Sequence, residues 1–308
     1  MHLECETCGA SLTVDAAQRS TVCPYCASPT VIERPPVAGR ASPAFTLGFA
    51  IGQEAARAEV RCWLGSRGFF TQSSVRAASI DAMRGVYVPA YIYSALSRSS
   101  YAAEIGENYT ETETYTTTDA KGNVVTRTRT VTRTEYRHLE GAHAAYLMDV
   151  IVTASRGVSN NELEAIEPFD LRALRRYSPA LISGWIAEEP TLSMNECIAL
   201  ARGEALTKIG GMLTDFMPGN SHRGLVHRTL LERETADLLH VPVWVLAARH
   251  DPKKPLLRIL VNGQTGKVIG DAPRSWLKIG LVVLAALALI GVIVLIIALM
   301  GDRGGRLR

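Results

Sequence analysis

The 308-residue sequence is short of several things that would announce a function. Aromatic residues make up only 6%, so no dense stacking platform for bases is in view. Charge of one sign is not in excess: 33 Lys and Arg stand against 30 Asp and Glu, net +3. That excludes a polycationic nucleic-acid coat and an acidic tail. The first 30 residues hold no apolar run of the secretory-leader kind. The patterns H-E-x-x-H, G-x-S-x-G and G-x-G-x-x-G are missing. Asn262–Val268 (NGQTGKV) lacks phosphate-loop spacing and has Val268 where a magnesium-binding hydroxyl would stand, so it reads as a hairpin turn. His222 and His227 are five apart in a segment that reads as a loop, with no carboxylate at a useful offset. Catalytic triads assemble in space, so an enzyme whose site leaves no linear trace stays open as an alternative.

What the sequence has is unevenly spread. The hydrophobic fraction is 47% and the mean hydropathy +0.08, high for a chain with 20% charged residues. Ile279–Met300 accounts for the excess, with 22 uncharged residues, two of them glycine. As a helix it would reach about 33 Å, enough for a ~30 Å hydrocarbon core. With Trp276 and Lys278 at its entry, a transmembrane helix is expected over 277–300 and a basic tail over 301–308. Arg303, Arg306 and Arg308 favour keeping the tail untranslocated, whereas Lys267, Arg274 and Lys278 pull the other way. The expectation is a single-pass C-terminal anchor in the cell membrane, with the lipid bilayer as a partner and the body cytosolic.

Six cysteines are present, and four form Cys5-x2-Cys8-x14-Cys23-x2-Cys26. Two close thiolates per knuckle suit a tetrahedral four-sulfur site, which points to structural Zn2+. An iron–sulfur cluster is the alternative metal centre, and a pair of disulfides fits poorly with a reducing compartment. Four thiolates leave no open position for catalysis. Residues 1–32 are too few to bury a core of their own, so metal binding supplies folding energy to this zinc ribbon. Leu12, Val14, Thr21 and Val22 are expected to form a hairpin between the knuckles. His2 reads as an exposed terminal residue, and Cys62 and Cys197 as buried free thiols on apolar helical faces. Glu4, Glu6 and Asp15 against Arg19 leave the ribbon at net −2, which points away from nucleic acid and towards protein docking or a structural use.

Residues 33–44, rich in Pro, Gly and small side chains, read as a linker to a body spanning 45–274. Helices are expected over Gln53–Leu64, Asn160–Ile166, and from the capping box Ser193-x-x-Glu196 to Gly210-Gly211. Glu162, Glu164 and Glu167 read as the solvated face of the second. Val75–Ser155 reads as β structure, with Pro89 at an edge or bulge. Residues 110–134 hold eleven threonines, spaced so that threonine faces threonine across a hairpin, with Asp119 opposite Asn123 and Glu113 meeting Arg129. A long arm with two polar faces is expected. A meander follows over His240–Ala248, Leu256–Val261 and Lys267–Gly270. Val88–Ile92 echoes Val241–Val245, and each is followed by an x-x-Gly-x-Val turn, which is compatible with a duplicated β-unit. The fold class is therefore α+β: a ribbon, a mainly antiparallel body with a long hairpin arm and a few helices, and one C-terminal transmembrane helix.

Beyond the cysteine motif, the segments VYVPAY (86–91), EPFDL (167–171), YSPALISGW (177–185), VPVW (241–244) and VNGQTGKV (261–268) precede the terminal apolar run. Together they resemble bacterial membrane-anchored zinc-ribbon proteins of the TFIIB-type label, some of which accompany phage-shock-protein-A-type and SPFH-domain proteins. The resemblance implies a metal site at Cys5, Cys8, Cys23 and Cys26. It also implies an adaptor, not an enzyme, that recruits or scaffolds such membrane-associated proteins, in connection with envelope stress. Ala27 departs from the usual knuckle glycine, and Ala90-Tyr91 from the usual aromatic pair. A membrane-tethered nucleic-acid-binding regulator is a second reading. Self-association into a homo-oligomer is compatible with either.

Overall fold

The computed structural model describes residues 2–13, 22–26, 31–33, 42–66, 83–118, 122–248, 257–270, 280 and 282–292. They form an α+β fold made mainly of sheet. The strands are β1 (His2–Cys5), β2 (Ser11–Thr13), β3 (Val31–Glu33), β4 (Phe45–Thr46), β5 (Arg84–Thr118), β6 (Val124–Thr153), β7 (Arg175–Arg176), β8 (Ile186–Glu189), β9 (Ser221–Ala248), β10 (Leu257–Asn262) and β11 (Val268–Gly270). The helices are α1 (Gln53–Ser66), α2 (Asn160–Ile166) and α3 (Met194–Phe216). Strand order is β11-β10-β9-β5-β8-β2-β1-β3. Two compact units divide the chain. The first holds Met1–Pro89, Ser155–Thr191 and Leu239–Arg308; the second holds Ala90–Ala154 and Leu192–Leu238.

In the first unit, α1 lays Ala56, Val60 and Leu64 on Trp244, Leu246, Ile259 and Val261. Their four-residue spacing makes one apolar stripe. Cys62 lies off that stripe and is exposed, which corrects its expected burial. Phe49 stacks on Trp185 with centroids 4.2 Å apart, and Trp244 meets both rings. A Cβ at Gly85 would collide with Trp185, so the strand can pass this cluster only as glycine. Asn262 closes the β10–β11 turn: its Oδ1 accepts from the Gln264 and Thr265 amides, and its Nδ2 donates to the Ile166 and Pro168 carbonyls. The NGQTGKV segment is thus a hairpin turn.

In the second unit, β5 and β6 pair antiparallel from Ala90–Thr153 to Thr118–Val124, with one irregularity between Tyr93 and Ala95. The expected register is present, including Glu113 opposite Arg129 and the threonine pairs 110–132, 112–130, 114–128 and 116–126. Asp119 falls at the turn, outside the described residues. One face of this sheet is covered by α3 through Cys197, Ala201, Ala205, Ile209 and Leu213. The capping box at Ser193 and Glu196 starts α3 as read. The helix does not stop at Gly210-Gly211, because Leu213 continues the buried stripe and offsets the ~1 kcal/mol cost of each glycine. Glu234 of β9 accepts from Tyr93 and from Nε and Nη2 of Arg202, fastening helix to sheet. His222 and His227 lie in β9, not in a loop. The strand was obscured because Gly224 and Arg233 take positive φ and break the alternation.

The expected C-terminal membrane helix is corrected. Among the described residues, no helix is long and apolar enough to cross a membrane. The described helical run there is 282–292, eleven residues, or about 16 Å, half of a ~30 Å hydrocarbon core. The rest of the 277–300 segment and the 301–308 tail lie outside the described residues. The single-pass anchor, and the cell-membrane location with a cytosolic body that depended on it, are therefore withdrawn.

Candidate metal centre

The first knuckle is built by a tight return of the chain after β1. The Gly9 amide donates to the Cys5 carbonyl and the Cys5 amide to the Ala10 carbonyl. Gly9 has φ +72, a left-handed conformation that side chains resist. This turn brings Cys5 and Cys8 to one point, and the turn Pro24–Cys26 brings Cys23 and Cys26 to the same point. The four sulfurs all lie within 4.8 Å of one another, with Cys5 and Cys26 at 3.5 Å and Cys8 and Cys23 at 3.7 Å. A tetrahedral four-thiolate site with bonds of ~2.3 Å needs sulfurs about 3.8 Å apart. All four predicted ligands are thus brought together in a cluster that could hold a metal ion.

Hydrogen bonding with Cys23, then burial, pushes the Cys8 thiol far above its ordinary range. A raised thiol favours the protonated form, so binding a metal at Cys8 would release a proton. Cys5 and Cys23 are buried and Cys8 and Cys26 half-buried, so the cluster is closed rather than open to substrate. His2 is not a ligand and not a free terminus. It sits in β1, half-buried, and pairs with Glu189. Of the expected hairpin, Leu12 lies in β2 and residues 14–21 are outside the described residues.

The ribbon is joined to β8 by sheet hydrogen bonds, with Ser11, Leu12 and Thr13 opposite Glu189, Glu188 and Ala187. Beneath the second knuckle lies a polar network that sequence reasoning missed. Tyr25 is fully buried and donates to Glu188 at 2.6 Å. Ser155 donates to the other oxygen at 2.6 Å and receives the Val158 amide. The Arg258 guanidinium lies 5.5 Å from the Tyr25 ring centre and donates to the Gly157 carbonyl. A Cβ at Gly157 would sit 2.9 Å from that ring. Burial pushes the Glu188 carboxyl up to about 7, against the pull of the Ser155 and Tyr25 hydroxyls. Burial, then the nearby Glu188 charge, holds the Tyr25 hydroxyl well above its usual range. β8 is buried at Ile186, Ala187 and Glu188 in succession and half-buried at Glu189, so alternation does not single Glu188 out.

The chain matches no family model and no solved structure. Among curated proteins it is similar to the uncharacterized protein YdjG of Bacillus subtilis (strain 168), 22% identical over 243 residues. That region covers 78% of this chain and 66% of the relative, so just under two thirds of the relative's length is matched.

Proposed function

We propose that this chain is a zinc-ribbon adaptor. Zn2+ held by Cys5, Cys8, Cys23 and Cys26 fixes the ribbon against β8, and the second unit docks other proteins. Zinc is favoured over other metals because four thiolates at these distances suit a soft, tetrahedral ion. The observation that carries the docking reading is the sheet face of the second unit opposite α3. Tyr146, Met148, Val226 and Leu230 are each more than half exposed there, and Leu230 shares a cleft with Ser100, Ala142 and Ala144. Large apolar side chains gathered over small ones on a solvated sheet form a surface that protein contact would cover. This cleft of about 610 Å³ beside Leu230 is also lined by Arg98 and Arg228, a polar margin of the kind found around interfaces.

The resemblance described above supplies the partner class, proteins of the phage-shock-protein-A or SPFH type. Calorimetry of the full chain with a purified member of each class tests this. Binding to one of them, lost in Tyr146→Glu/Leu230→Glu, is expected. Binding unchanged by that pair, or absent for both classes, would contradict the reading.

A further inference from the structure

β6 is 30 residues long and pairs only with β5 among the described residues. Its other edge presents a row of backbone N–H and C=O groups. Protein edges are normally blunted by proline, lysine, bulges or brevity. Residues 124–134 contain neither proline nor lysine, and their register with β5 is unbroken back to Ala95–Leu147. Eight of these eleven residues are Thr or Val, which favour extended backbone.

The two strands of the arm differ in charge. Residues 109–118 carry Glu111 and Glu113 and no cation, while 124–134 carry Arg127, Arg129 and Arg133 and no acid. On their shared face Arg129 pairs with Glu113, and Arg133 bridges Glu111 and Glu113. The inner side of β6 thus already receives a strand of the pattern Thr-Glu-Thr-Glu-Thr-Tyr. A second β6 laid on the outer side would oppose arginine with arginine, which disfavours self-pairing. A nucleic acid has no peptide backbone to pair with this edge, and its phosphates would come up to Glu111 and Glu113 on the same face.

We propose that the outer edge of β6, residues 124–134, takes up an extended acidic segment of a partner protein by strand addition. Backbone pairing supplies the affinity, and carboxylates at alternate positions meet Arg127, Arg129 and Arg133. This deepens the adaptor reading and rests on it, adding a second docking element of stated chemistry.

The test uses the full chain and a fluorescein-labelled peptide with the sequence of residues 109–118, beside a twin with both glutamates replaced by lysine. The acidic peptide should bind saturably and more weakly as salt rises. Arg127→Glu/Arg133→Glu should weaken it by about tenfold or more, as for loss of charge-assisted hydrogen bonds. The lysine twin should not bind. That variant could loosen the arm itself, so hydrogen exchange on the unmodified chain is the second measurement. Amides of 124–134 that point away from β5 should gain protection when the acidic peptide is added. The proposal is overturned if those amides do not change or if the twin binds equally. It is also overturned if duplex DNA displaces the peptide, or if the chain instead self-associates through these arginines without taking up peptide. Peptide binding with no capture of either partner class would leave the edge standing and remove the partner assignment alone.

Discussion

Glu188 in β8 and Glu113 in β5 are both carboxylates that accept from two side chains, and they show how differently the two units use charge. Glu188 is fully buried, and burial drives its carboxyl up to about 7. Glu113 lies at the surface of the arm, where hydrogen bonds from Arg129 and Arg133 draw its carboxyl below the usual range. The first is cut off from solvent with a fixed pair of neutral donors, so losing either leaves a buried polar group unmatched. The second has water as a standing substitute. Polar groups beside the cysteine cluster are buried and matched to one another, whereas those on the arm stay in contact with solvent.

Metal removal should separate the two regions most. A chelator should release β1–β3 to hydrogen exchange while β5 and β6 keep their protection, because among the described residues the clustered cysteines all lie in 1–26. Equal loss in both would break the comparison. Next in size is Glu188→Ala, which strands the Tyr25 and Ser155 hydroxyls in a cavity; a loss of about 2–4 kcal/mol is expected in urea titrations. Tyr25→Phe should cost less, about 1–2 kcal/mol, and keep the knuckle packed.

The pH dependence sharpens the same contrast. The Glu188 carboxyl is raised when folded, so its contribution is complete below about 4.5 and is lost as pH rises towards about 7. The shift amounts to roughly 3 kcal/mol. Burial pulls the His240 imidazole down to about 4, so its contribution runs the other way and is lost as pH falls below 6.5. Stability of Glu188→Gln relative to the parent should therefore improve from pH 4.5 to 7; a pH-independent difference would contradict the buried-acid account. Gly9→Ala follows, at about 1–2 kcal/mol, from the left-handed φ at the first knuckle. The smallest effect belongs to Arg133→Ala, for which no measurable shift of the unfolding midpoint is expected.

Local periodicity made much of the fold legible. The Cys-x2-Cys spacing located all four clustered sulfurs, the alternating threonines gave the arm its register, and Ser193 marked the start of α3. Features settled by tertiary contact were not legible. α3 runs past Gly210-Gly211 because a sheet waits for Leu213, and β9 hides behind positive φ at Gly224 and Arg233. Glu188 looks like any strand glutamate until Tyr25 and Ser155, 163 and 33 residues away, close on it. Hydropathy over 279–300 suggested an anchor, whereas among the described residues no helix is long and apolar enough to cross a membrane.

The central claim is that the four cysteines hold one structural zinc. X-ray absorption on the purified full chain, with metal content measured on the same sample, tests it most directly. The account expects one zinc per chain with four sulfur neighbours at about 2.3 Å. Iron with a cluster signature, nitrogen or oxygen in the coordination shell, or a chain with four free thiols and no metal would contradict it.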